Sequence, residues 1–250
     1  MKILVLGDIH GRTIWKDIIE KEQPDKTIFL GDYVSTHHLI TEEQQIENLK
    51  EILEYKDLYP DNVILLRGNH DLQHLGYYWA ECSGYFRKVA EWMYDHRHQF
   101  LKSTQWIYMD EELKTIFSHA GVSTIWLDKT IRPYLEPIIT YSSSPITHEV
   151  LLWHINALEP DEKFSFIPGN LFDMYGDSVT QSCVWIRPTS LAKCMVDGYT
   201  QVVGHTPVKL ECTDAYKSTV KNQHLWLCDA LHNRNYLVIE DGEFKHRGLL

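Results

Sequence analysis

The stretch LGDIHGR, residues 6–12, ends a short apolar run near the start of the chain. Residues 3–6 have the composition of a buried strand, and the two glycines after them allow the backbone to turn sharply. The turn carries an acid, Asp8, and an imidazole, His10. In open α/β sheets, ligands bind at the carboxyl ends of the strands. This strand end is therefore a candidate binding edge.

The same pattern of a strand followed by a polar turn recurs along the chain. Residues 26–33 (KTIFLGDY) and 62–71 (NVILLRGNHD) are two further apolar segments of this kind. Between them, residues 41–55 begin with a Thr-x-x-Gln capping box and continue with an apolar stripe at helical spacing. Alternating strands and helices predict βαβ units and a mainly parallel sheet. Later segments predict a helix over 84–102 and a hairpin over 106–121.

Length, composition and charge restrict the class of protein. At 250 residues without a linker-like segment, we expect one domain over residues 1–250. The apolar runs are too short to cross a bilayer, and the first of them lacks the features of a signal peptide. The five cysteines are scattered, as in reduced cytoplasmic proteins. A net charge of −11 without a Lys/Arg cluster argues against binding to an extended nucleic acid. We therefore expect a cytoplasmic protein that binds no membrane.

Five polar strand ends follow one another and offer Asp, Asn or His side chains. In chain order they are Asp8-x-His10-Gly11, Gly31-Asp32, Gly68-Asn69-His70-Asp71, Ser118-His119-Ala120-Gly121 and Gly204-His205-Thr206. Oxygen and imidazole ligands without a thiolate suit Mn, Fe or Zn ions better than a structural zinc. A carboxylate among them can bridge two ions ~3.5–4 Å apart, an arrangement that activates water for attack on phosphorus.

In order and spacing, the motifs GDIHG, GDYV, LLRGNHD, SHAG and GHTP resemble the calcineurin-like metallophosphoesterase superfamily. They are most similar to its phosphoprotein phosphatase branch, which includes bacterial and phage members. The match runs from residue 4 to about residue 207, with a weaker echo in WLCDAL at 226–231. The resemblance implies an α/β fold, a four-layer α/β/β/α sandwich with a binuclear metal site at the carboxyl ends of the central strands.

The resemblance also implies two divalent transition-metal ions, with Mn as the first choice and Fe, Zn or Ni as alternatives. The implied ligands are Asp8 and His10 for the first ion, Asp32 bridging both, and Asn69, His119 and His205 for the second. Many nucleases of the superfamily carry one more ligand, a His, where this chain has Pro207. That difference agrees with the phosphoprotein phosphatase branch.

Three further residues are implied to act on the substrate. His70 follows the ligand Asn69 and would be the general acid that protonates the leaving-group oxygen, since an imidazole pKa near ~6.5 suits this task. Arg187 in the WIRP segment and Arg67 would contact the phosphate oxygens through their guanidinium groups. The alternatives are a hydrogen bond within the turn for His70, a surface position for Arg187 and a structural role for Arg67.

The second motif departs from the pattern of the protein phosphatases, which read Gly-Asp-x-x-Asp-Arg-Gly. Residues 31–37 are GDYVSTH, so Ser35 replaces the acid that orients the catalytic His and Thr36 replaces a phosphate-binding Arg. Asp71 is a candidate for orienting His70 instead. This departure leaves the implied metal ligands unchanged and bears on the substrate.

The expected function is hydrolysis of phosphomonoesters, on a phosphoprotein or a small phosphoester, by attack of metal-activated water. The alternative is a hydrolase of nucleotides such as dinucleoside polyphosphates, or a phosphodiesterase on small nucleic-acid substrates. A non-catalytic binding module of the same fold is a third hypothesis, and the six intact ligand positions argue against it. His37, the last residue of GDYVSTH, or His38 directly after it, is a candidate donor to the phosphate, and the alternative is that both are solvent-exposed loop residues.

Overall fold

The computed structural model describes residues 1–36, 39–77, 80–139, 146–160, 178–208, 216–217 and 224–249. Its strands are β1 (Lys2–Leu6), β2 (Lys26–Phe29), β3 (Val63–Leu66), β4 (Thr104–Gln105), β5 (Ile107–Asp110), β6 (Thr115–Ser118), β7 (Thr200–Val203), β8 (Tyr216–Lys217), β9 (His224–Leu227), β10 (Asn235–Glu240) and β11 (Glu243–Gly248). Within the described ranges they form a six-stranded sheet, in the order β11-β10-β1-β2-β3-β4, and a five-stranded sheet, in the order β5-β6-β7-β9-β8.

The helices lie between and after these strands. They are α1 (Trp15–Glu22), α2 (Glu42–Leu58), α3 (Asn69–His74), α4 (Arg87–Asp95), α5 (Arg97–Ser103), α6 (Thr124–Trp126), α7 (Arg132–Ile139), α8 (His148–Ile155) and α9 (Pro188–Leu191). A π-helical turn, Leu127–Ile131, joins α6 to α7, and a 3-10 turn covers Leu231–Asn233. No helix in the described part of the chain is long and apolar enough to cross a membrane.

The predicted capping box is confirmed, and the predicted mainly parallel sheet is confirmed for β1 to β4, whereas β10 and β11 extend the same sheet in antiparallel pairing. β1, β2, β3 and β4 pair in parallel, as expected for strands joined through helices. At the start of α2, the Thr41 hydroxyl accepts the Gln44 backbone N–H, and the Gln44 side chain accepts the Thr41 backbone N–H. These two bonds satisfy amide groups that the first helical turn leaves without partners.

The four-layer arrangement is also confirmed, because each sheet buries both of its faces. Ile3 of β1 packs in one apolar cluster with Phe117 of β6, so the inner faces of the two sheets meet there. Leu4, on the opposite face of β1, lies in a second cluster with Ile18 of α1. Ile116, next to Phe117, belongs to this second cluster, which also contains residues of α7 and α8. Helices therefore cover the outer faces of a two-sheet sandwich.

The predicted helix over 84–102 is wrong in one respect, because it is broken into α4 and α5. The break is at His96, whose backbone has φ −104° and ψ 13°. Its Nδ1 lies 2.8 Å from the carbonyl oxygen of Trp92, and the two rings stack with their centroids 4.1 Å apart. The Trp92 carbonyl oxygen is thus shared by the side chain and the backbone N–H of His96 at the point where α4 ends. The predicted hairpin over 106–121 is confirmed by the antiparallel pair β5 and β6.

Candidate metal centre

The side chains predicted as metal ligands come from the loops after β1, β2, β3, β6 and β7. In the first sheet, β1, β2 and β3 run parallel, with Leu6 opposite Phe29 and Phe29 opposite Leu65. In the second sheet, β6 and β7 run parallel, with Ser118 opposite Val203. Parallel strands in register end at the same sheet edge, so the loops that follow them lie next to one another.

The carboxylates and imidazoles converge into two groups that share Asp32. In one group, single ligand atoms of Asp32, His119 and His205 all lie within 4.8 Å of one another. In the other, the same holds for Asp8, His10 and Asp32. We refer to these five residues and Asn69 as the ligand cluster.

Two of the histidines face the amide oxygen of Asn69. His119 Nδ1 donates to the carbonyl oxygen of Leu30 at 2.8 Å, and its Nε2 lies 2.9 Å from Asn69 Oδ1. His205 Nε2 donates to the carbonyl oxygen of Trp185 at 3.1 Å, and its Nδ1 lies 3.0 Å from the same Oδ1. A neutral ring that donates from one nitrogen presents a lone pair on the other. Acceptor atoms therefore face one another here, and a shared cation would satisfy all of them.

The third histidine of the cluster is fixed in the same way. His10 Nδ1 donates to the carbonyl oxygen of Val34 at 2.9 Å, and its Nε2 lies 3.8 Å from Asp8 Oδ2. A backbone carbonyl that fixes the tautomer of a ligating histidine is typical of metal sites. Burial lowers the pKa of His119 to about 3, and burial also lowers the pKa of His205 well below its ordinary value. Both rings are therefore neutral, as a metal ligand requires.

The two aspartates of the cluster are buried with too little positive charge around them. Burial raises the pKa of Asp8 well above its ordinary value, and the nearby carboxylate of Asp229 raises it further. Burial likewise raises the pKa of Asp32, with added repulsion from Asp8 and Asp71. Bound cations would remove this repulsion, so the donor set fits divalent metal ions.

The backbone around the cluster is shaped for close approach. Asp32 and His205 have φ values of +50° and +63°, a region that non-glycine residues rarely adopt. A Cβ on Gly204 would lie 2.3 Å from Asp8 Oδ1, and a Cβ on Gly68 would lie 2.0 Å from Asp32 Oδ1. Any side chain at these two glycines would displace a carboxylate of the cluster.

His70, the predicted general acid, lies beside the cluster. Its backbone N–H donates to Asp32 Oδ1 at 2.9 Å, and its ring Nε2 lies 4.0 Å from Asp32 Oδ2. On the other side of the ring, Nδ1 lies 3.5 Å from Cys82 Sγ. The ring is therefore close enough to reach a substrate held at the cluster.

Asp71, the predicted orienting acid, is bonded to the backbone. One carboxylate oxygen accepts the N–H of Tyr33 at 2.9 Å, and the other accepts the N–H groups of Asp32 and Gly68 at 2.9 and 2.8 Å. Burial raises its pKa to about 6. Asp71 thus joins the loops after β2 and β3, so any effect on His70 would pass through these loops.

The two arginines predicted to bind phosphate differ in placement. Arg187 donates from Nη1 to the carbonyl oxygen of His205 and to Thr206 Oγ1, both at 3.1 Å, which places it beside the cluster. Arg67 is buried and donates to Thr104 Oγ1 and to the carbonyl oxygens of Thr104 and Leu101. Its guanidinium lies 4.6 Å from the ring centroid of Trp106. These contacts give Arg67 a structural role, and a phosphate contact from it stays a prediction.

Sequence reasoning missed two charged residues at the site. Asp229 is buried two residues after the end of β9. Burial raises its pKa to about 6, although the nearby charges of Arg12 and Arg187 lower it. Arg12 donates to the carbonyl oxygens of Asp8 and Ile9 at 3.4 and 3.2 Å. The acid in WLCDAL, the segment with the weaker resemblance to the family, was the signal that could have identified Asp229.

The two residues of the second motif that differ from the protein phosphatase pattern, Ser35 and Thr36, are buried. Ser35 and Thr36 are 0% and 2% exposed, and Ser35 Oγ donates to the carbonyl oxygen of Gly84 at 2.7 Å. Neither side chain therefore replaces the missing Arg as an exposed phosphate ligand. His37 and His38 lie outside the described residues.

Comparisons with known proteins show the family of this chain. Residues 1–209 match the sequence profile of the calcineurin-like phosphoesterases. Serine/threonine-protein phosphatase PP1-delta of Caenorhabditis elegans is 34% identical over 100 residues, which are 36% of this chain and 30% of that protein. Serine/threonine-protein phosphatase PP2A-like PPG1 of Candida albicans is 32% identical over 102 residues, 37% of this chain and 23% of that protein. The matched segment thus spans less than a third of either relative.

Solved structures show the same fold at low sequence identity. A point mutant of a cold-active protein tyrosine phosphatase superposes with a TM-score of 0.56 at 16% identity, over 98% of this chain and 77% of that one. A protein serine/threonine phosphatase from Saccharomyces cerevisiae with similarity to human PP5 also gives 0.56, at 14% identity, over 100% of this chain and 80% of that one. The sequence profile, supported by the fold and the donor set, leads to one conclusion: the chain belongs to the calcineurin-like phosphoesterases, a family of metal-dependent hydrolases of phosphoric esters.

Proposed function

We propose that this protein is a phosphomonoesterase that uses two divalent transition-metal ions and acts on phosphoproteins or small phosphoesters. The observation that carries the proposal is the pair of donor groups that share Asp32. In this proposal Asp8 and His10 would hold one ion, Asn69, His119 and His205 would hold the other, and Asp32 would serve both. When bound, the ions would activate water for attack on phosphorus and offset the charge that develops there.

The remaining steps belong to side chains of this chain. His70 donates a proton from Nε2 to the leaving-group oxygen as the phosphorus–oxygen bond breaks, because an alkoxide is a poor leaving group at neutral pH. Its backbone bond to Asp32 Oδ1 supports this role by fixing its distance from the cluster. Arg187 contacts the phosphate oxygens with its guanidinium group, which suits a dianionic phosphate.

We propose that the ions are manganese and that the protein works in the reducing environment of the cytoplasm. Oxygen and imidazole ligands without a thiolate are compatible with Mn, Fe or Zn, and Mn is the first choice because of the resemblance to the protein phosphatases. Cys82, Cys183, Cys194 and Cys228 are free thiols in the described part of the chain, which supports a reducing compartment.

A second candidate function is hydrolysis of nucleotides such as dinucleoside polyphosphates, or of small nucleic-acid diesters. One observation favours it: Thr36 is buried where the protein phosphatases carry a phosphate-binding Arg. With fewer cationic contacts, the site would gain less from the second negative charge of a monoester.

A substrate panel distinguishes the two candidates. The Mn-loaded protein is assayed on 4-nitrophenyl phosphate, bis(4-nitrophenyl) phosphate, a phosphoserine peptide and a diadenosine polyphosphate. We expect the highest kcat/KM on the monoesters. A higher kcat/KM on the bis-ester or the diadenosine compound would favour the second candidate, and no activity on any of them would contradict both. The Asp32→Asn protein, prepared in parallel, controls for contaminating phosphatases.

A further inference from the structure

The segment 80–86, which we call the thiol loop, is bonded to the helix that carries His70. Gln73 Oε1 accepts the backbone N–H of Cys82. One residue further along α3, His74 Nε2 accepts the backbone N–H of Phe86 at 3.1 Å. Because both acceptors belong to α3, the loop keeps a fixed position relative to this helix.

Ser35 also holds this loop, through its hydroxyl group. Its hydroxyl donates to the carbonyl oxygens of Gly84 and Ser83 at 2.7 and 3.2 Å. A carboxylate in this place would face two carbonyl oxygens without a proton to offer. Replacement of the usual acid by Ser35 therefore matches a new task for this position, which is to hold the thiol loop.

The loop brings a thiol against the ring of His70. Cys82 Sγ lies 3.5 Å from His70 Nδ1, whereas His70 Nε2 lies 4.0 Å from Asp32 Oδ2. A thiol can donate to a bare ring nitrogen and can accept weakly from a protonated one. The contact can therefore persist in both protonation states of the ring and keep Nε2 directed at the ligand cluster.

We propose that Cys82 is a positioning residue for His70, in the role that the replaced acid of the second motif would otherwise have. The inference rests on the proposed role of His70 as general acid. Because Cys82 acts through His70, its removal should chiefly affect those reactions whose leaving group needs a proton, and metal content is measured as well because the thiol also interacts with the Asn69 side chain.

The test compares Cys82→Ala and Cys82→Ser with Cys194→Ala, a matched control at a second half-buried thiol whose Sγ donates to the carbonyl oxygen of Ser190. We expect Cys82→Ala to lower kcat on an alkyl phosphate by about 10-fold, below the ~10²–10⁴-fold assigned to a general acid. KM and metal content should stay unchanged, as should kcat on 4-nitrophenyl phosphate. Cys82→Ser should recover most of the loss because a hydroxyl can make the same hydrogen bond.

A double variant separates this inference from the proposed function. In His70→Asn the removal of Cys82 should add no further loss, since residues that act as a unit are non-additive. The inference is overturned if Cys82→Ala matches the wild type, or if its loss is equal on both substrates and adds to that of His70→Asn. If His70→Asn itself shows no dependence on the leaving group, the general-acid role fails first.

The contact between Cys82 and His70 can also be tested on the metal-free protein, without an activity assay. In the nitrogen-15 spectrum of the histidine rings, Cys82→Ala should shift the Nδ1 resonance of His70, and Cys194→Ala should leave it in place. An unchanged His70 resonance in Cys82→Ala would show that the thiol does not contact the ring in solution.

Discussion

Buried carboxylates lie in two regions of the molecule, and the charges around them shift their pKa values in opposite directions. Glu22, at the end of α1, accepts hydrogen bonds from Tyr236 at 2.7 Å and Arg247 at 2.6 Å, with the Lys2 ammonium 3.6 Å away. Burial alone would raise the pKa of Glu22, but these contacts outweigh it, and the pKa lies below its ordinary value. The chain itself supplies the compensating charge.

The ligand cluster lacks such compensation from the chain. Burial and neighbouring carboxylates raise the pKa values of Asp8 and Asp32, although Asp8 Oδ1 accepts the backbone N–H of His205. A buried acid with a lowered pKa contributes to stability when it is charged, whereas buried acids with raised pKa values are suited to bind cations. The two kinds of buried acid should therefore respond in opposite ways when the carboxylate is replaced by a neutral amide.

The largest expected effect is that of Asp32→Asn. This change removes the carboxylate shared by both donor groups, so kcat/KM should fall by ~10³-fold or more, given that metal ions contribute several kcal/mol to catalysis. Steady-state kinetics and metal analysis after desalting measure the loss. In the metal-free state, the same variant should be as stable as the wild type or more stable, because it removes a repelled charge. If metal-free Asp32→Asn were clearly less stable than metal-free wild type in denaturant unfolding, the Asp32 carboxylate would not be a repelled charge.

The second largest effect is expected from removal of the proton donor, His70. His70→Asn should leave the metal content intact and lower kcat on alkyl phosphates by ~10²–10⁴-fold, the range of general acid catalysis. Aryl phosphates with good leaving groups should lose much less, because their oxygen needs no proton. Equal losses on both substrate types would assign His70 a structural role.

A smaller effect is expected from Gly204→Ala. Its Cβ would lie 2.3 Å from Asp8 Oδ1, so the carboxylate must move and metal affinity should fall by about 10–100-fold, as for other groups that orient ligands. Calorimetric Mn titration measures this. Gly242→Ala is the control, because a Cβ there meets nothing within 4 Å, although its φ of +80° makes it a strained substitution. Equal metal affinity in both variants would refute the role of close approach.

The smallest effect concerns stability alone. Glu22→Gln removes the charged acceptor of Tyr236 and Arg247 and should lower the free energy of unfolding by about 1.5–3 kcal/mol at neutral pH, with activity unchanged. Because the folded pKa of Glu22 is lowered, its contribution is complete above the ordinary glutamate pKa of ~4.3 and is lost as the pH falls through the folded value. The difference between wild type and variant should therefore shrink in acid. A difference that grows in acid would reverse the assigned sign.

The fold and the ligand cluster were predictable because their signals are local. Thr41 and Gln44 mark the start of α2 within four residues. Each predicted ligand directly follows an apolar strand, and the rule that parallel strands end at one edge is sufficient to bring these side chains together. Strand ends that are recognised locally in the sequence are therefore sufficient to predict that their polar side chains form one site.

Other features depend on contacts between distant segments, which local patterns do not contain. Cys82 reaches His70 from a loop 12 residues away, and Arg67 turns to the carbonyl oxygens of Leu101 and Thr104, more than 30 residues on. The Asp71 carboxylate is used by backbone amides that become neighbours only when β2 and β3 pair. Such side-chain partners follow from tertiary packing, so residue type alone left their roles open.

Whether the ligand cluster holds two cations can be measured on the intact protein. Wild-type protein is loaded with Mn²⁺ and then desalted, and its metal content is determined by elemental analysis against protein concentration. We expect close to two ions per chain, with Glu22→Gln unchanged and Asp32→Asn close to zero, because the shared carboxylate would serve both ions. A normally folded wild-type protein that reproducibly retains no metal would contradict this expectation.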